Sequence, residues 1–150
     1  MSRTATPTIG MSSLLHAANS VESFVESKLS AVGLSIPKLA ALNRLVEAGD
    51  SLPLGQLAER LACVKSNVTQ LVDRLEADGF VTRAPDPGDR RSRLAVITDD
   101  GRKAYTEGAR IKRTAEEQLF SVLSADDTAR LGEIFEKLQR VHGASKRSCI

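Results

Sequence analysis

The sequence predicts a mainly α-helical fold that is interrupted by one two-stranded β-hairpin. Apolar residues recur along most of the chain with the period of a helix, and two short runs rich in β-branched residues follow the middle of the chain. Aromatic residues make up only 3% of the 150 residues, whereas hydrophobic residues make up 41%. The predicted core is therefore aliphatic, which favours helices packed on helices, and a chain of this length can bury it without disulfides.

Two helices are predicted in the N-terminal third. Apolar residues from Leu14 to Val32 recur at helical spacing and form one apolar face. Ser35 is a candidate N-cap for the second helix, and Pro37 fits its first turn. This helix is predicted to end at Gly49, because glycine readily adopts the left-handed conformation that closes a helix.

A pair of short helices comes next. The third helix is predicted over Leu54–Leu61 and the fourth over Lys65–Asp78, where Gly79 ends it. Two β-like runs follow, Phe80–Ala84 and Leu94–Thr98, and the loop between them contains a Pro-Gly turn. The order helix, turn, helix, strand, loop, strand predicts a winged helix-turn-helix with a two-stranded β wing.

Long helices complete the predicted organisation. One runs from Asp99 to about Val122, and Ser124 is a candidate cap for a last helix. We expect residues 1–150 to form a single domain. Its predicted parts are dimerisation helices at 11–33 and 100–143, the winged helix-turn-helix at 35–98, and flexible tails at 1–9 and 144–150.

The fourth predicted helix can bury one side and present the other to a partner. Its apolar residues share one side of the helix: Val68, Leu71, Val72 and Leu75. Short polar side chains occupy the opposite side near its N-terminus, and Asn and Gln can pair bidentately with adenine in the major groove of DNA. The predicted DNA-binding residues of this recognition helix are Lys65, Ser66, Asn67, Thr69, Gln70 and Arg74. A solvated polar face is the simpler alternative.

The predicted loop of the hairpin concentrates positive charge. Between Arg83 and Arg93 there are four arginines and two aspartates. Arginines on a tight hairpin suit the narrow, strongly negative minor groove. The predicted DNA-binding residues of the wing are Asp89, Arg90, Arg91 and Arg93. Asp89 is expected to orient a neighbouring guanidinium through a charge-assisted contact.

The stretch from Leu54 to Gly101 closely resembles the winged helix-turn-helix of the MarR (multiple antibiotic resistance regulator) family. The matching segments are LAERL, VTQLVDRLEADGFV and DRRS, and with the flanking helices the resemblance covers about Leu14 to Val141. It implies an obligate homodimer on a near-palindromic site, with recognition helices in successive major grooves and wings in the flanking minor grooves.

The resemblance also implies roles for single residues. The residue matching Arg91 inserts into the minor groove, and the residue matching Asp89 helps to position it. Base edges are contacted by residues matching Ser66, Asn67, Thr69 and Gln70, whereas Lys65 and Arg74 favour phosphate. Val64 departs from the family, which often has a Ser or Thr cap there, so Ser66 is a candidate cap one turn later.

The first and last predicted helices have apolar faces that a minimal winged domain cannot bury. A second copy would cover both faces, and a two-fold dimer would place two recognition helices about one DNA turn apart. The predicted dimerisation residues are Leu14, Val21, Phe24, Leu131, Phe135 and Leu138. The alternative is a monomer whose end helices fold back onto its own core.

The predicted function is a sequence-specific DNA-binding transcriptional regulator, a ligand-responsive repressor that binds a palindromic operator as a homodimer. The net charge is only +2, so the positive charge that attracts phosphate must be local. The expected partners are double-stranded DNA, a second copy of the chain and, as in many relatives, a lipophilic or phenolic small-molecule inducer. Alternatives are a winged-helix protein–protein interaction module and a redox-responsive regulator that senses through Cys63, although such a cysteine is more often a small apolar core residue.

No enzyme, cofactor or metal site is predicted. The motifs GxSxG, HExxH, CxxC, GxxxxGK[ST] and GxGxxG are absent, and His16, His142 and Cys149 lack the tight spacing of metal ligands. No apolar run approaches the ~20 residues that span a bilayer. Residues 1–9 lack the apolar stretch of a signal peptide, and two cysteines are too few for a disulfide framework, so a cytoplasmic location is expected.

Overall fold

The computed structural model describes residues 9–142 as six α-helices and three β-strands. The helices are α1 (Met11–Ser30), α2 (Ile36–Glu47), α3 (Leu54–Arg60), α4 (Lys65–Ala77), α5 (Asp99–Phe120) and α6 (Ala125–His142). The strands are β1 (Ser51–Pro53), β2 (Val81–Asp86) and β3 (Asp89–Ile97). The predicted mainly α fold with a β wing is confirmed. The predicted tails lie outside the described residues, apart from Ile9.

The ends of the helices confirm the predicted capping residues. The Ser35 hydroxyl accepts a hydrogen bond from the Lys38 N–H (3.3 Å), and Gly49 follows α2 with a φ of 81°. The Ser124 hydroxyl accepts from the Asp127 N–H (3.1 Å), while the Asp127 carboxylate accepts from the Ser124 N–H (3.2 Å). Reciprocal bonds of this kind satisfy two N–H groups at the start of a helix.

The sheet contains a strand that was not predicted. β1 pairs antiparallel with β3, which also pairs antiparallel with β2, so the strand order is β1-β3-β2. β1 pairs only with the part of β3 near its C-terminal end, where Leu52 lies opposite Ala95. Nearer the turn, β3 pairs with β2 alone, through Arg93 opposite Pro85 and Asp89 opposite Asp86, and residues 90–92 between them have no register partner.

The hairpin strands are longer than predicted. β2 and β3 continue through most of the segment that was assigned to the loop, and the turn is reduced to Pro87-Gly88. A register irregularity lies between Pro85 and Asp86. The prediction of an arginine-bearing loop is therefore wrong in one respect, because the arginines lie on a strand.

The core is aliphatic, as predicted. The largest fully buried side chains are leucines and valines: Leu29, Leu42, Leu45, Leu57, Leu75, Val68, Val72 and Val81. They come from α1 to α4 and from the start of β2, and α5 packs against both α1 and α2. The winged helix-turn-helix and the inner part of the long helices thus share one core.

Two segments leave apolar surface uncovered in the single chain. Residues 11–23 of α1 are all exposed, and every described side chain of α6 is exposed except Leu131, which is half-buried. The exposed apolar residues of these helices are Met11, Leu14, Leu15, Val21, Ile134, Phe135, Leu138 and Val141. The last helix therefore does not pack onto the core of its own chain.

Phe24 differs from the other predicted dimerisation residues. It is half-buried and packs against the core of its own chain, with the Lys28 ammonium 5.3 Å from its ring centre. Part of its surface is thus already covered within the chain.

Among residues 9–142, no helix combines the length and the apolar character that crossing a membrane would require.

Candidate nucleic-acid interface

The recognition helix predicted from the sequence is α4. Its apolar stripe is buried as predicted: Val68 and Val72 are fully buried, and Leu71 and Leu75 are 4% and 0% exposed. This stripe fixes the rotation of the helix, so its polar side faces outward. Five of its predicted DNA-binding side chains are exposed, Lys65, Ser66, Thr69, Gln70 and Arg74, and Asn67 is half-buried.

The N-terminus of α4 begins where it was predicted, without a side-chain cap. The N-cap residue is Val64, and α4 starts at Lys65. The proposal that Ser66 caps the helix one turn later is wrong, because Ser66 already lies inside the first turn. Thr69 donates its hydroxyl hydrogen to the Lys65 carbonyl oxygen (3.2 Å), and its side chain is exposed.

The wing arginines lie on β3. Arg90, Arg91 and Arg93 are all exposed, and so is Asp89. The Asp89 carboxylate accepts a hydrogen bond from the backbone N–H of Arg91 at 2.9 Å. The expectation that Asp89 holds a guanidinium is therefore corrected: it fixes the main chain at the start of β3, where the arginines leave the turn.

Cationic side chains of α4 and β3 stand without partners. The side chains of Lys65, Arg74, Arg90, Arg91 and Arg93 make no hydrogen bond or ion pair with any residue that the structure describes. Most other described arginines, by contrast, form ion pairs with nearby carboxylates. Five cations on these two elements, in a chain with a net charge of +2, thus have no direct partner among the described residues.

Arg83 of β2 joins the two elements, although it is not among the residues predicted from the sequence. Its guanidinium donates to the Asp73 and Glu76 carboxylates of α4, each at 2.5 Å, and to the Thr69 carbonyl oxygen at 3.4 Å. The backbone N–H of Arg83 also donates to Glu76, at 3.3 Å. Burial by itself would lower the pKa of Arg83, but the hydrogen bonds to the two carboxylates outweigh it and raise the pKa.

A signal for Arg83 was present in the sequence. Val81 and Arg83 are two residues apart on β2, so they lie on the same face of the strand. Since Val81 is buried in the core, Arg83 had to point towards the helices as well. Asp73 and Glu76 are one helical turn apart and share a face of α4.

A cavity of about 360 Å³ lies between α2 and α5. Its apolar wall comes mainly from α2, and its polar lining includes Asn43, Tyr105, Lys112, Arg113 and Glu116. The Tyr105 hydroxyl donates to the Asn43 side-chain oxygen (2.8 Å), and Lys112 pairs with Glu116 (2.5 Å). Arg113 has no polar partner among the described residues, so one cation of the cavity is uncompensated.

Cys63 lies in the buried core, at 6% exposure, and it is not a free thiol in this structure. The interpretation of Cys63 as a small core residue agrees with its burial, but it does not account for the bonding of its sulfur.

Among the described side chains, no group of three or more His, Cys, Asp or Glu is arranged to hold a metal ion. Of the three residues considered as metal ligands, the His142 side chain and Cys149 lie outside the described residues.

The fold and the exposed polar helix beside a basic hairpin define a winged helix-turn-helix protein. The MarR family model matches residues 34–92. The uncharacterized HTH-type transcriptional regulator YkoM of Bacillus subtilis (strain 168) is 34% identical over 105 residues, which cover 70% of this chain and 68% of YkoM. The chain belongs to the MarR family of DNA-binding transcriptional regulators.

Solved structures show the same fold. The organohalide-sensing regulator RdhR, bound to 2,4-dichlorophenol, superposes with a TM-score of 0.80 at 19% identity, covering 95% of this chain and 89% of RdhR. A mutant MarR from E. coli, complexed with operator DNA, superposes with a TM-score of 0.75 at 22% identity, covering 85% of this chain and 92% of MarR.

Proposed function

We propose that this chain is a ligand-responsive repressor that binds a palindromic operator as a homodimer. The observation that carries the proposal is the uncompensated positive charge of Lys65, Arg74, Arg90, Arg91 and Arg93, placed on α4 and β3. Unpaired cations are costly to gather on one surface unless an anion covers them, and duplex DNA supplies regularly spaced phosphates.

The exposed side of α4 enters the major groove in this proposal. Gln70 and Ser66 are fully available at its N-terminal half, and Gln can bond the N6 and N7 atoms of adenine together. Asn67 is half-buried and reaches the base edges only at the margin of the contact. Lys65 and Arg74, at the two ends of α4, contact the phosphates that border the groove.

The hairpin enters the adjacent minor groove. Arg91 is the proposed inserted residue, because its main chain is fixed by Asp89 directly after the turn while its side chain has no partner within residues 9–142. Arg90 and Arg93 lie on either side of it and favour the flanking phosphates.

The second copy covers the exposed apolar stripes of α1 and α6. In α6 the residues Leu131, Ile134, Phe135, Leu138 and Val141 recur at helical spacing, yet almost none of this face is buried within the chain. A helix with so few tertiary contacts is marginal in water unless a partner packs on its apolar face. A two-fold partner also supplies the second recognition helix, which a palindromic site requires.

The cavity between α2 and α5 is the proposed inducer site. It joins a helix of the DNA-binding lobe to a long helix that leads to the dimer region, so a ligand there can alter their separation. Its mixture of apolar wall, Tyr105 and the unpaired Arg113 suits a lipophilic phenol or an aromatic anion. Repression then follows from occupancy, because a dimer on an operator excludes other proteins from that DNA until the ligand releases it.

Binding to DNA fragments from the region upstream of its own gene, measured over a range of salt concentrations, tests the proposal. Contacts to several phosphates make the affinity fall steeply and log-linearly with salt. Steep salt dependence together with competition by unlabelled specific duplex supports an operator-binding function. If no duplex binds at low salt, or if affinity is insensitive to salt, a protein–protein interaction module is the better interpretation.

A further inference from the structure

We propose that Arg83 is a positioning residue for DNA binding, which holds the hairpin against the recognition helix and neutralises two carboxylates on that helix. The inference rests on the proposed function, since it concerns how α4 and the hairpin meet DNA together. It assigns a role to a residue that is itself poorly placed to contact DNA.

The contact between Arg83 and α4 restrains the hairpin relative to the helix. Arg83 reaches across from β2 to three positions of α4: the carboxylates of Asp73 and Glu76 and the carbonyl oxygen of Thr69. Its own N–H adds a main-chain bond to Glu76. Contacts from one side chain to successive turns of a helix restrict both the distance and the angle between that helix and the strand.

These contacts lie at the base of the hairpin that carries the wing arginines. β2 pairs with β3 from Val81 opposite Ile97 to Pro85 opposite Arg93, and again at Asp86 opposite Asp89. Arg91 lies in the irregular stretch of β3 between these two pairings, so a change in the angle at Arg83 moves the paired residues on both sides of Arg91. The α4 segment that Arg83 contacts begins at Thr69, next to the base-reading Gln70. One guanidinium thus fixes the two DNA-contacting elements relative to each other.

Arg83 also neutralises negative charge on α4. The Asp73 and Glu76 side chains are 58% and 41% exposed, whereas the Arg83 side chain is only 20% exposed. If Arg83 were absent, two solvent-facing negative charges would remain on the helix that enters the groove. Phosphates within a screening length of about 10 Å at 0.1 M salt would be repelled by them.

The same exposures argue against a direct phosphate contact by Arg83. Both terminal nitrogens of its guanidinium are already hydrogen-bonded to α4, and most of its surface is covered. The unpaired Arg90, Arg91 and Arg93 are far more available to phosphate. Arg83 acts through the residues it holds.

Substitution of Arg83, combined with neutralisation of its two partners, tests the charge part. The probe is a fluorescein-labelled duplex selected in vitro from random sequence with the wild-type protein. Arg83→Met is expected to weaken binding by on the order of tenfold, and Arg83→Lys, which keeps the charge but cannot reach both carboxylates, by less. Adding Asp73→Asn and Glu76→Gln to Arg83→Met is expected to restore most of the affinity.

A matched control separates local neutralisation from a general gain of positive charge. Glu107→Gln with Glu117→Gln, placed on α5, removes the same number of negative charges from the Arg83→Met protein. These changes are expected to restore much less affinity. Equal rescue by the two pairs, or no rescue by Asp73→Asn with Glu76→Gln, overturns the charge part. A fall of about one in the slope of log affinity against log salt, with no rescue, would instead identify Arg83 as a phosphate contact.

The geometric part is tested by coupling between Arg83 and Arg91, which a merely stabilising role would not produce. In the Arg83→Met protein the hairpin is no longer held against α4. The fold loss in affinity caused by Arg91→Ala is therefore expected to be less than half of the fold loss that it causes in the wild type. If the fold losses in affinity caused by Arg83→Met and Arg91→Ala simply multiply in the double variant, the two residues act independently and the geometric part is wrong. Thermal unfolding checks that each variant is folded.

The outcomes also distinguish this inference from the proposed function. If the wild-type protein selects no duplex from the random pool, the proposed function itself fails. If it selects a duplex and Arg83→Met binds that duplex with unchanged affinity, the function stands and the role of Arg83 is wrong.

Discussion

The first turn of α5 lies directly against the main chain that leaves the recognition helix, at the contact between Gly101 and Phe80. A Cβ atom added at Gly101 would lie 2.1 Å from the Phe80 carbonyl oxygen. The same oxygen accepts a hydrogen bond from the Thr98 N–H (3.0 Å), and the Thr98 hydroxyl donates to the Gly79 carbonyl oxygen (2.7 Å). The start of α5, the end of α4 and the base of the hairpin therefore meet at one point.

Gly101→Ala is expected to destabilise the protein by about 2–3 kcal/mol, because the new methyl group meets a hydrogen-bonded main-chain atom that cannot move aside. Denaturant unfolding measures the change. Gly55→Ala in α3 is the control, since a Cβ there meets nothing within 4 Å. Equal stability of the Gly101 variant and the wild type would contradict the close contact.

Arg91→Ala is expected to weaken operator binding by about 1–3 kcal/mol, because the substitution removes the proposed minor-groove contact without disturbing the Asp89 bond to the main chain. Electrophoretic mobility shifts with the selected duplex measure the loss. Arg110→Ala on α5, which also removes one positive charge, is expected to bind nearly as well as wild type. If both variants bind equally, the assignment of the wing is wrong.

Gln70→Ala and Lys65→Ala are expected to change DNA binding in different ways. Loss of a base-edge contact relaxes the preference at one base pair, whereas loss of a phosphate contact weakens binding to all sequences and reduces the salt slope by about one. Binding to duplexes with every single-base substitution, at several salt concentrations, separates the two effects. A uniform loss for Gln70→Ala would place that residue at phosphate and not at a base.

Phe135→Glu is expected to dissociate the dimer while leaving the chain folded, since Phe135 is 43% exposed in the single chain and a charge on the apolar stripe cannot be buried. Sedimentation measures the oligomeric state. Ala129→Glu adds the same charge on the opposite face of α6 and is expected to remain dimeric. A wild-type protein that sediments as a monomer at micromolar concentration contradicts the dimer itself.

Arg113→Met is expected to abolish stabilisation by anionic aromatic ligands, with chlorinated phenols and aromatic carboxylates as probes. A ligand at about 100 times its dissociation constant stabilises the protein that binds it by about 2.7 kcal/mol, which raises the unfolding temperature. Tyr105→Phe, which removes the hydroxyl bond to Asn43 but keeps the ring, is expected to retain part of the effect. Ligand-induced shifts that are unaffected by Arg113→Met would place the ligand outside the cavity between α2 and α5.

The helices were predictable because their signals are local. Ser35, Ser124 and Gly49 cap or end helices through their own chemistry, and the stripe from Val68 to Leu75 sets which side of α4 is buried. Side-chain exposure on the recognition helix follows from that stripe alone.

The sheet was less predictable, because its pairing is not local. β1 consists of three residues, one of them Pro53, and so short a segment shows no strand period. The polar end of β3 resembles a loop in the sequence, since Asp89, Arg90 and Arg91 are exposed and have no buried residue between them. The contact of Arg83 with Asp73 and Glu76 depends on how β2 returns past α4, which residue spacing along a single element does not show.

The unequal pairing along β3 gives the hairpin an uneven stiffness. Leu94 to Val96 are held by strands on both sides, whereas Asp89 and Arg93 each pair with one strand and residues 90–92 between them have no register partner. The hairpin is therefore firmly restrained where it joins the core and less restrained at the end that carries its arginine side chains. Such an end can follow variations in groove width from one DNA sequence to another while its anchored part, and the helices packed on it, keep their positions.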